Sequence, residues 1–134
     1  DFVHWAETTA QHLRDQNWKA LDLTHLIEEI EDLSKRERDR LRSSLELIIL
    51  HLLKWIYQPQ KRSRSWQITI GRERLNIDRY LRDSPSLKRY LQDEWLSQTY
   101  TYTDARRRAS IETQLLTDKG SPVIAASLTV RGIV

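Results

Sequence analysis

The chain has 134 residues, a formal net charge of +3 and no cysteine. That length suits one domain with one core, and the missing thiols exclude a disulfide framework and a thiolate metal site. Hydrophobic residues at 39%, charged residues at 31% and only 3 Gly and 3 Pro describe a highly charged protein with few helix breakers.

The charge is unevenly spread. Residues 1–33 hold eight acids against two bases, whereas residues 34–134 hold twenty bases against eleven acids. The bases are mostly arginine, which suits bidentate pairing with phosphate or carboxylate and stacking on aromatic rings. Internal pairing of an acidic helix with a basic one accounts for this most simply. Nucleic-acid binding is the second reading, since net charge speaks to association and not to fold.

Asp1 to Gln16 reads as a first helix, capped by Asp1, with Phe2, Trp5, Thr9 and Leu13 at helical spacing. Asn17-Trp18 marks a turn. Asp22 caps a second helix, whose Leu23, Leu26, Ile27, Ile30 and Leu33 form a core face. Glu29 and Glu31 flank that stripe on opposite sides. His25, Glu28 and Asp32 lie on the far side, where a solvated acidic face is favoured over a metal site because ligating helices turn their ligands inward.

Ser34-Lys-Arg-Glu37 matches a capping box. It predicts a helix end near Leu33 and a new start at Lys35, with one kinked continuous helix as the alternative. The next helix carries LELIILHLLKWIY from Leu45 to Tyr57, apolar nearly all round. Such a helix is wrapped by others, and this one is too short and too interrupted to span a bilayer. It is expected at the centre of a bundle, with His51 a satisfied buried histidine rather than a catalyst. Pro59 stops it.

The connector QPQKRSRS places Lys61, Arg62 and Arg64 beside the start of the next helix. Free backbone N–H groups and arginines there make an anion-site candidate, against a solvated loop with Ser65 as cap.

The run LIEEIEDLSKRE, then HLLKWIYQPQKRSRSWQITI, then DSPSL, then ETQL resembles the bacterial domain of unknown function family twenty-nine, over about residues 1–116. The resemblance implies an all-helical cytoplasmic bundle of this size, found in photosynthetic bacteria, and implies no activity. It places recurrent polar positions at Glu28, Glu29, Glu31, His51, Lys54, Arg62, Ser63, Trp66, Arg106 and Glu112. The chain departs from the pattern after Leu116.

The following helix, about Ser65 to Arg82, turns Trp66, Ile70, Ile77 and Leu81 one way and Ile68 and Leu75, between Arg72 and Arg79, another. The second face suits a protein partner or a weak homodimer, or wider burial in the same bundle. Ser84-Pro85 starts a helix. One helix from there to Leu116 would align Leu87, Leu91, Tyr102, Ala105, Ala109 and Glu112, with a break at Asp104 as the alternative. A core-facing Glu112 would need an arginine partner such as Arg62, Arg64 or Arg106.

The expected architecture is therefore all-α: about five helices around a central apolar helix in one domain, residues 1–116, with an extended or disordered tail at 117–134. No nucleophile–base motif or phosphate loop is present, so neither a cofactor nor a bound metal is expected. Glu28, Glu29, Glu31, His51, Arg62, Arg64, Arg106 and Glu112 form a candidate polar cluster, structural or acid–base in role. A protein-interaction or regulatory module leads. RNA binding or processing, as in a toxin–antitoxin pair, is the alternative, and a metal-dependent hydrolase comes third.

Overall fold

A computed structural model describes residues 1–91 and 100–113. Among these residues there are four α-helices and no strand, so the fold is all-α. They are α1 (Phe2–Arg14), α2 (Leu23–Tyr57), α3 (Arg64–Asp83) and α4 (Tyr100–Thr113). The C-terminal arm expected at 117–134, and Leu116, fall outside the described residues. No described helix is long and apolar enough to cross a membrane.

The chain divides into two compact units, Asp1–Arg36 and Glu37–Val134. The first unit is a hairpin of α1 and the start of α2. The Asp1 carboxylate caps α1 by accepting from the Val3 N–H at 2.9 Å. The helix closes with paired bonds, Gln16 N–H to Leu13 C=O and Asn17 N–H to His12 C=O. This arrangement puts a left-handed residue just past the helix, and here it is Gln16 at φ 54°. A short 3₁₀ turn at Trp18–Ala20 follows, and Asp22 caps α2 through the His25 N–H.

The capping-box expectation at Ser34 is not met. Helix α2 runs unbroken for 35 residues, and Glu37 pairs with Arg40 one turn on at 3.1 Å. Ser34 and Glu37 both tolerate helix interiors, so their spacing permits a cap without requiring one.

The second unit owns the buried core. From α2 it takes Leu41, Leu45, Ile48, Ile49, Leu50 and Leu53. Ile77 and Leu81 come from α3, Leu87 and Leu91 from the segment after Pro85, and Ala105 and Ala109 from α4. The small residues of α4 bring its backbone close to the other helices, which is why a helix with so little aliphatic bulk is buried there. Its start at Tyr100 passes through Thr101–Asp104, so Asp104 is not a cap; its carboxylate accepts from Arg42 at 2.9 Å. Tertiary contacts outweigh the weak helix propensity of YTYTD, residues 100–104.

The N-terminus of α3 is capped by Ser63, whose hydroxyl accepts from the Trp66 N–H, rather than by Ser65.

Candidate functional site

The first unit has no buried residue; the first buried position in the chain is Leu41. The stripe expected as a core face is open: Leu23, Ile27, Ile30 and Leu33 are 58%, 56%, 57% and 58% exposed. Phe2, Val3 and Trp18 are similarly exposed. Hydrophobic spacing shows that a helix has an apolar side, not that the same fold covers it. Exposed apolar surface gathered in one place marks an interaction site.

The two helices enclose a groove of about 270 Å³ lined by Phe2, Trp5, Leu13, Leu26, Ile30 and Leu33 among others. Trp5 anchors it, with its ring 5.7 Å from Phe2 and 4.3 Å from the His25 imidazole. His25 Nε2 lies 3.5 Å from a Glu29 carboxylate oxygen, and Arg36 reaches the other oxygen at 4.0 Å. Glu28 and Glu31 are exposed. The result is an apolar groove lined by one acid, Glu29, and one base, Arg36, with the exposed Glu31 flanking the stripe.

Of the candidate cluster, Glu28, Glu29 and Glu31 belong to this first unit. His51, Arg62, Arg64, Arg106 and Glu112 belong to the second. His51 is half-buried, with Nδ1 2.8 Å from the Leu47 carbonyl oxygen. That geometry calls for a proton on Nδ1, because the carbonyl can only accept. Arg62 donates to the Trp55 carbonyl at 2.8 Å, and its guanidinium lies 5.1 Å from the centre of the Trp55 ring. Lys61 and Arg64 are exposed and Arg106 is half-buried.

Glu112 is exposed rather than core-facing. Its partners are Lys54 at 3.1 Å and Arg108 at 3.8 Å, and Arg108 also reaches Glu46 at 3.2 Å. Lys54 carries its ammonium 4.9 Å from the centre of the Trp66 ring. Sequence spacing pointed to Arg62, Arg64 or Arg106 because long-range pairs depend on how α4 meets α2.

Two polar sites in the second unit escaped the sequence. Glu73 on α3 is buried, where it accepts from Ser44, Asn76 and Arg72. Burial works against its charge, but these three hydrogen bonds and the Arg72 charge hold its carboxyl below the usual range. Tyr90 accepts from Arg38 at 3.3 Å and Arg89 at 2.9 Å. The two guanidiniums favour the phenolate and lower its pKa. A glutamate in the stretch GRERL reads as solvated, and nothing local distinguishes Glu73 from its exposed neighbours. Among the described residues no group of three His, Asp or Glu side chains is placed to hold a metal ion.

The sequence pattern of the family described as "Domain of unknown function DUF29" matches residues 1–126. The chain belongs to the DUF29 family. The match runs ten residues beyond Leu116, where the resemblance was expected to end. No curated protein and no solved structure matches the chain.

Proposed function

We propose that this DUF29 chain is a protein-interaction module whose docking element is the α1–α2 hairpin. One observation carries the reading: the hairpin has no buried residue, yet it presents an apolar face. A unit of fewer than about 40 residues seldom holds a core without disulfides, metal or association, and this chain has no cysteine. Covering one large aliphatic side chain is worth about 1.5–3 kcal/mol. Occupation of the face by a partner would supply what the hairpin does not supply itself.

Protein is a better occupant than nucleic acid. The hairpin holds eight acids against four bases, which disfavours phosphate. In the second unit Arg42, Lys54 and Arg108 are each paired with a carboxylate. Lys61, Arg62 and Arg64 remain the basic positions on which an RNA reading would rest.

The test is affinity capture from cells with the full chain as bait, with and without nuclease. A partner retained after nuclease, and lost with the Ile30→Asp bait, supports the module. Capture of nucleic acid alone, unaffected by Ile30→Asp, rejects it.

A further inference from the structure

The hairpin groove leaves open what covers it, and charge narrows the choice. A second hairpin would match it in shape but would set eight acids against eight, with four bases on each side. The better complement is an apolar helix face with a cationic rim. This chain carries one.

On α3, Ile68 and Leu75 are 58% and 72% exposed, and Arg72 and Arg79 share their side at i, i+4, i+7 and i+11 spacing. Arg64 and Arg82 extend the basic rim at the two ends of the helix, both exposed. At Gly71, on the edge of the same face, nothing lies within 4 Å of where a Cβ would sit. The α3 backbone is therefore open to close approach there.

We propose that the acidic hairpin of one copy is covered by the outer face of α3 from a second copy, a reading that rests on the hairpin being a docking element. Ile68 and Leu75 cover part of the Ile27–Ile30 stripe, and Arg72 and Arg79 meet the acids that flank it, Glu29 and Glu31. Arginine beside buried aliphatics is the composition that interfaces favour. The contact joins unlike faces, and every copy has both. Copies therefore associate head to tail. Two aliphatic side chains bury too little for a permanent interface, so the contact is a weak, transient one.

The experiment is sedimentation equilibrium of the full chain across micromolar concentrations, at low and physiological salt. The wild type associates, more weakly as salt rises. Ile27→Glu spoils the hairpin face and Leu75→Glu the α3 face, both at exposed positions, with folding checked by circular dichroism. Each variant alone associates at least about tenfold more weakly. Mixed one to one, they associate with each other, because the Leu75→Glu copy keeps a sound hairpin and the Ile27→Glu copy a sound α3. A wild-type chain that stays monomeric overturns the proposal. So does association that Ile27→Glu abolishes and Leu75→Glu leaves untouched, which would mean that hairpin meets hairpin. A monomer that still captures a partner through Ile30 would overturn the second copy as occupant and leave the interaction module standing.

Discussion

The Ser44 hydroxyl donates a 2.7 Å hydrogen bond to a carboxylate oxygen of Glu73, tying α2 to α3 inside the core of the second unit. Both residues are buried, at 4% and 6% exposure. A buried carboxylate survives only when its lone pairs are met, and here Ser44, Asn76 and Arg72 meet them. Ser44→Ala removes one donor and leaves the charge in place. It should cost about 1.5–3 kcal/mol, the range for hydrogen bonds to charged groups. Urea unfolding at neutral pH measures it.

The same glutamate should give the fold an acid-sensitive component. Its folded pKa is lowered, so folding favours the charged form. That contribution is complete above the ordinary value of 4.5 and is lost as pH falls through the lower folded value. Glu73→Gln should be less stable than wild type at neutral pH and should lose less on acidification. Parallel melting curves from pH 7 downward would show the two chains converging; a constant gap would mean that Glu73 does not titrate with folding.

Helix α2 offers an internal control. Leu45 is fully buried and Ile30 is 57% exposed on the same helix. Leu45→Ala should cost about 2–5 kcal/mol as a core truncation. Ile30→Ala should stay within about 0.5 kcal/mol in dilute chain, as for surface positions. Equal losses would show that the hairpin face is covered in the free chain.

Gln16 holds a left-handed backbone conformation at φ 54°. Glycine adopts it without the steric cost that an L side chain bears, at some cost in unfolded-state entropy. Gln16→Gly should therefore stabilise the hairpin by about 0.5–1 kcal/mol. Amide exchange slowed at Leu13 to Asn17 is the readout.

Lys54 is only 17% exposed along its side chain, whereas Glu112 is 39% exposed. Lys54→Ala loses the Trp66 ring contact and its packed stem as well as the ion pair, and should cost about 1–2 kcal/mol. Glu112→Gln loses a half-solvated pair and should cost less than about 1 kcal/mol. Thermal melts at low and high salt separate them, since salt weakens the pair far more than the ring contact.

The sequence by itself determined the helices and most of their ends. Asp1 and Asp22 act as caps, Pro59 stops α2, and the all-apolar run from Leu45 marks where the core lies. These are local properties: a cap needs only its own first turn, and an apolar run is buried wherever other helices reach it. The motif blocks around His51 and Trp66 also pointed to the DUF29 family. The tertiary structure decided which apolar stripe is covered. Leu23, Ile27, Ile30 and Leu33 have the spacing of a core face, and so do Leu41, Leu45 and Ile48. Only the second set meets α3 and α4 residues that close over it. It decided, too, that Glu73 is buried and that Glu112 meets Lys54 and Arg108. Periodicity assigns a residue to a side of its helix. What stands opposite that side depends on chain segments dozens of positions away, and their arrival is a property of the packed fold.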